Sequence, residues 1–154
     1  MRKLFVLALV SFSTLLMSAV TVHADELLMA RADRPFPEAM NQLQESILAH
    51  GYTISRVQRV DVGLTASGFK TAEYRVVFYG KPDEMKKLPA QHPELAAYLP
   101  LSIVIYAEGD DTLVLSANPL SLRDFFGKPG LKQTFEQWAM DIRAILDDMS
   151  RHRK

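Results

Sequence analysis

The sequence predicts an α+β domain, a two-layer sandwich of a mainly antiparallel sheet with helices on one face, in the order β-α-β-β-(short helices)-β-β-α. Three observations predict it. Residues 101–107 and 112–117 are β-favouring runs that flank the turn signal Glu108-Gly109-Asp110-Asp111, the pattern of an antiparallel hairpin. Leu131, Phe135, Trp138, Ile142, Ile145 and Met149 recur at alternating intervals of four and three, the stripe of a long amphipathic helix. The strands succeed one another as hairpin-type neighbours rather than as regular β-α-β crossovers, which favours antiparallel pairing with the helices on one side.

Residues 27–32 read as a short apolar strand, stopped by Arg34-Pro35-Phe36-Pro37. Phe36, Met40, Leu43 and Ile47 then recur at helical spacing up to His50, with Pro37 in the first turn and Gly51 just past the end. Residues 52–64 read as one long strand on the strength of Tyr52, Ile54, Val60 and Val62. Residues 74–79, Tyr-Arg-Val-Val-Phe-Tyr, form the next strand, ended by Gly80-Lys81-Pro82. Two short helices are expected at 83–88 and 93–98, separated by Pro89 and closed by Pro100. After the hairpin, Asn118-Pro119 ends the last strand, and Gly127-Lys128-Pro129-Gly130 leads into the final helix, which runs to about Ser150. Residues 25–154 are thus expected to form one domain.

The first 24 residues look removable. Arg2 and Lys3 precede an apolar stretch at 4–17, and Val22-His23-Ala24 offers the small residues that signal peptidase accepts. The stretch is shorter than the roughly 20 residues a membrane span needs. Export to the periplasm with cleavage before Asp25 is expected, with no stable membrane insertion afterwards. The full chain is neutral, with 18 basic and 18 acidic residues. Loss of Arg2 and Lys3 leaves the mature chain mildly acidic, with three of its 16 lysines and arginines in the terminal Arg151-His152-Arg153-Lys154. That balance argues against nucleic acid as a partner. A hydrophobic content of 48% excludes a disordered chain. The absence of cysteine removes disulfides, thiolate metal sites and cysteine nucleophiles together.

Motifs that carry chemistry are sparse. Ser67-Gly68-Phe69-Lys70 matches a serine–lysine spacing, but its Gly68 and loop setting do not suit that chemistry. His50, His92 and His152 share no ligand spacing, so no metal and no cofactor are expected. The acidic pairs Asp83-Glu84, Asp110-Asp111 and Asp147-Asp148 suit a helix start, a turn and a solvated helix face. Arg56, Arg59 and Arg75 fall in strands, where an arginine either holds an anion or protects an edge.

The sheet carries a further signal. Leu101, Ile103 and Ile105 alternate with Ser102, Val104 and Tyr106, and Leu113 and Leu115 alternate with Thr112, Val114 and Ser116. One face is core. The other, carrying Val104, Tyr106 and Val114, is too apolar for a fully wet surface. A partner subunit, a ligand or residues 81–100 is expected to cover it.

The run Phe36-Pro37-Glu38-Ala39-Met40, Gly51-Tyr52, Val60-Asp61, Tyr74-Arg75-Val76, Lys81-Pro82, His92-Pro93-Glu94-Leu95 and Leu99-Pro100, followed by Val104-Ile105-Tyr106, resembles the domain of unknown function 302 family over about residues 34–119. The resemblance implies a TATA-binding-protein-like two-layer fold and a homodimer; it implies no activity. Relatives often carry cysteine where this chain has Gly80 and Leu101, so thiol chemistry is not carried over. Asp61, Tyr74, Arg75, Lys81, Pro82 and His92 are the candidate ligand-binding residues; Asp61 and Pro82 also read as strand-end and turn residues. The expected function is an exported, non-catalytic small-ligand-binding or accessory module that dimerises through its sheet. The alternative is an enzyme acting on a small anionic metabolite through Arg75, Lys81 and His92.

Overall fold

The computed structural model describes residues 26–151. The expected leader at 1–24, and residues 152–154 with His152, lie outside the described residues. Five strands form one antiparallel sheet: β1 (Leu27–Ala32), β2 (Thr53–Arg59), β3 (Tyr74–Gly80), β4 (Leu101–Glu108) and β5 (Asp111–Ala117), in the spatial order β1-β5-β4-β3-β2. Two long helices, α1 (Phe36–Ala49) and α5 (Pro129–Ser150), pack on one face, and a one-turn helix, α4 (Arg123–Phe126), leads into the second. The expected two-layer α+β sandwich is the observed fold.

Each long helix has its cause in the sequence. α1 has Pro37 in its first turn and buries Phe36, Ala39, Leu43 and Ile47. It ends where Gly51 takes φ +79°, a conformation that favours glycine. The Gly51 N–H then donates to the Leu48 carbonyl and the Tyr52 N–H to the Ile47 carbonyl, the paired bonds of a Schellman end. α5 buries all six residues of the predicted stripe, from Leu131 to Met149. Against these helices the sheet sets Val77, Tyr79, Ile103, Ile105 and Val114, each fully buried. Burying one such side chain stabilises the fold by roughly 1.5–3 kcal/mol before entropy is counted.

Three expectations are corrected. The strand expected at 52–64 stops at Arg59, and Val60–Ala66 form a short helix, α2. Strand pairing runs out there, because Arg59 opposite Arg75 is the last pair that β3 offers to β2. β-Branched valines without a partner strand carry no strand of their own. Second, Pro89 does not end a helix at residue 88. A single helix, α3 (Pro82–Gln91), runs through it and ends two residues later, where the missing N–H costs one bond of the final turn. A 3₁₀ turn then spans Pro93–Ala97.

The third correction concerns register. Val114 pairs with Ile105 and faces the helices, whereas Leu113 and Leu115 face away. Glu108 pairs directly with Asp111, leaving Gly109 and Asp110 as a two-residue turn with positive φ at Gly109. That turn sets the register, and the polar residues it sends inward are satisfied. Thr112 donates to the Arg34 carbonyl at 3.0 Å and Ser116 to the Ser102 carbonyl at 3.1 Å.

The far ends of α1 and α5 are tied by Asp148. Its Oδ2 accepts from Ser46 Oγ at 2.8 Å and lies 3.0 Å from His50 Nε2, and Gln42 donates to its backbone carbonyl. Burial works against the charged carboxylate, but the bonds from Ser46 and His50 outweigh it and hold Asp148 below the ordinary carboxylate range. A depressed folded value means that this contribution is complete above about pH 4 and is lost as pH falls through that value. Urea midpoints measured from pH 6 to pH 2 should fall more steeply for the wild type than for Asp148→Asn. Parallel curves would overturn the assignment.

Candidate functional site

β3 ends at Gly80, and the chain turns through Lys81 into α3. Gly80 lies close to Met85: a Cβ there would stand 2.6 Å from Sδ, so the flexible thioether would have to shift. Around this turn lies an open cleft of about 550 Å³. Its walls are Thr53 and Ser55 from β2, Gly80, then Pro82, Met85 and Pro89 from α3, with Ala96, Leu99 and Pro100 opposite. Ser55 sits at the β-bulge between Ile54 and Arg56, and its hydroxyl donates to the Phe78 carbonyl at 3.2 Å. Among the described residues no charged side chain lines the cleft.

The charges nearby are turned toward α5. Lys81 Nζ lies 3.0 Å from Asp141 Oδ2 and 4.6 Å from the centre of the Tyr52 ring. The Tyr52 hydroxyl donates to the same Oδ2 at 2.6 Å, and Gln137 donates to Oδ1 at 2.8 Å. Burial disfavours the Asp141 charge, but these three donors prevail and hold its carboxyl below the usual range. Burial first, and then the neighbouring Asp141 charge, push the Tyr52 and Tyr79 phenols up, so both stay neutral. The Tyr79 hydroxyl is buried without a hydrogen-bond partner among the described residues. Beside this cluster the Trp138 indole donates to Glu84 at 2.9 Å, fastening α3 to α5.

The second feature is the sheet face turned away from the helices. Register places Val104 and Tyr106 of β4, Tyr74, Val76 and Phe78 of β3, and Leu113 and Leu115 of β5 on it. Leu27 and Met29 of β1 extend it, 52% and 61% exposed. Tyr74 and Tyr106 meet edge to face, 6.0 Å between centroids. Residues 81–100 wrap one end of the sheet, where residues 97–100 share a cavity wall with Phe78, send Leu88 and Leu95 toward the core, and are pinned to α5 through Glu84.

The six predicted site residues separate into four places. Asp61 and Arg75 form an ion pair on the helix side of the sheet, with Arg75 also 5.4 Å from the centre of the Phe36 ring. Burial opposes the Asp61 charge, yet the Arg75 bond and the Val62 N–H lower its pKa. Tyr74 lies on the opposite, open face. Lys81 and Pro82 stand beside each other at the cleft, but only Pro82 lines it. His92 caps α3 with Nδ1 3.4 Å from Lys128 Nζ and 3.5 Å from Glu94. Ser67 ends α2 and donates to the Gly63 carbonyl, so it does not sit at a helix N-terminus facing Lys70. Among the described residues no group of His, Cys, Asp or Glu could hold a metal ion.

The family described as domain of unknown function DUF302 matches residues 29–149. The chain belongs to the DUF302 family. A crystal structure of an uncharacterised conserved DUF302 protein from Bacillus stearothermophilus is similar to this chain, with a TM-score of 0.74 and 20% sequence identity, over 82% of this chain and 99% of the other. At that identity the likeness speaks for the fold. No curated protein matches the chain.

Within this DUF302 domain, Gly80 and Leu101 come together at the cleft end of the β3–β4 pair. Gly80 lines the cleft, and Leu101 follows its wall residue Pro100 and pairs across the sheet with Tyr79. Gly80→Ala should displace Met85 and cost on the order of 1 kcal/mol, read as a lower urea midpoint. An unchanged midpoint would show that the approach is not tight. Thr53, Ser55, Met85, Tyr52 and Asp141 were not legible as site residues. Tyr52 and Asp141 stand 89 positions apart and meet only through the packing of α5 against the start of β2.

Proposed function

We propose that this DUF302 protein is exported, is trimmed before Asp25, and acts as a non-catalytic binding module that pairs with a second copy through the helix-free sheet face and takes a small ligand in the cleft beside Gly80. The observation that carries the dimer is the face itself. Its centre is aliphatic and aromatic, and its arginines, Arg31 and Arg56, stand on the two edge strands. Arg31 is paired with Glu108 and Asp111. An apolar centre with a charged rim is the anatomy of a protein interface. The three inner strands, about 4.8 Å apart and about 20 Å long, give this centre roughly 290 Å² in plan. The edge strands with their arginines complete a face of roughly 480 Å², more than half of the about 800 Å² that one partner brings to a standard interface. A flat sheet face is also self-complementary about a two-fold axis, with sheets stacking about 10 Å apart.

The enzymatic alternative has less support. Arg75 and Lys81 stand at opposite ends of β3, roughly 20 Å apart at about 3.3 Å per residue. Each is engaged by its own carboxylate. Ser46 and His50 both meet Asp148 rather than each other, so they form no relay.

Native mass spectrometry of protein purified gently from periplasm tests the proposal. A chain beginning at Asp25, a dimeric mass and a retained small molecule are expected. A monomer, or a chain retaining residues 1–24, would overturn it.

A further inference from the structure

We infer that the cleft selects a neutral, largely apolar molecule carrying a single hydroxyl- or carbonyl-type polar end, and rejects anions. This deepens the ligand-binding part of the proposed function and depends on it. The walls set the selectivity by what they can and cannot offer. Pro82, Pro89 and Pro100 present ring carbons and, having no backbone N–H, remove three donors that an anion would need. Met85 adds a deformable thioether on the same floor.

The cation adjacent in sequence, Lys81, is no help to an anion. Its ammonium points to Asp141 and lies over the Tyr52 ring on the helix side. An ionised ligand would therefore exchange its water for no charged partner and one side-chain donor, the Thr53 hydroxyl, a poor exchange for a full charge. A cation fares no better, because no carboxylate lines the walls.

Polar contact is confined to one wall. Ser55 spends its proton on the Phe78 carbonyl and is left to accept, whereas the Thr53 hydroxyl can donate or accept. One small polar end aimed at β2 and an apolar body among the prolines satisfy this lining. The volume of about 550 Å³ lies within the range of small-molecule sites.

The test uses protein purified as its host processes it, with N-phenyl-1-naphthylamine as a neutral fluorescent probe. Saturable binding of one probe per chain is expected. Decanol should displace it at least tenfold more effectively than decanoate at pH 8. Ala96→Phe, which fills the cleft from an exposed position, should weaken probe binding at least tenfold with an unchanged circular dichroism spectrum. Gln133→Ala on the exposed side of α5 should leave probe binding unchanged. Probe binding with equal displacement by decanol and decanoate would overturn the selectivity while leaving ligand capture standing. Binding insensitive to Ala96→Phe would overturn the cleft as the site. Saturable binding of decanoate without binding of the neutral probe would overturn the inference but not the binding module, and binding of neither would overturn both.

Discussion

Val104→Glu should leave the protein folded and convert the proposed dimer to monomer. Val104 sits on β4, the central strand of the open face, opposite Val76 on one side and Leu115 on the other. In the free protomer a glutamate there reaches water, and the lower strand propensity costs at most about 1 kcal/mol. In a face-to-face dimer, two carboxylates would be buried among aliphatic and aromatic side chains without a counter-charge, a penalty of several kcal/mol. The dimer dissociation constant should rise at least about 100-fold, since each factor of ten is about 1.4 kcal/mol. Light scattering coupled to size-exclusion chromatography reads the mass directly, and circular dichroism checks that the sheet persists. A variant that stays dimeric would move the interface elsewhere.

Asp141→Ala should produce the largest loss of stability from a single polar side chain. The carboxylate accepts from Tyr52, Lys81 and Gln137 and acts on the Tyr79 phenol, whose hydroxyl has no hydrogen-bond partner among the described residues. Its removal strands the Tyr52 phenol, in a residue only 3% exposed, and leaves the Lys81 ammonium without a counter-ion. The Tyr52 loss stands in full, while Lys81, partly open to water, recovers some hydration. Together these give a loss of about 2–4 kcal/mol, a large share of the roughly 5–15 kcal/mol typical of a domain. Asp141→Asn keeps the shape and one acceptor oxygen and should lose less. Urea unfolding of the two variants checks both values. A loss below about 1 kcal/mol for the alanine variant would show that the cluster adds little.

These two variants fall on features that differ in how far the sequence announced them. The apolar second face was legible, because Val104 and Tyr106 alternate with an obvious core set. Its composition was not, because alternation alone cannot say whether Leu113 and Leu115 or Val114 points inward. The two-residue turn at Gly109-Asp110 decides that, and hydrogen bonds from Thr112 and Ser116 make the polar inward positions tolerable. The Tyr52–Lys81–Asp141 cluster was legible only as Lys81, since its members come from a strand start, a loop and the middle of a helix.

The sequence by itself determined the architecture of this DUF302 domain. Periodicity along single segments marks which residues want burial, and Gly51, Pro37 and the hairpin turn mark where segments begin and end. Those are local signals, and local chemistry suffices to read them. Which charges cancel, where the cleft opens and which sheet face stays bare depend on contacts between segments far apart in the chain. Asp61 and Lys81, both candidate ligand residues, are matched by the fold with Arg75 and Asp141. A charged side chain near low-dielectric packing is held by whichever opposite charge the fold brings within reach. Only the tertiary structure names that partner.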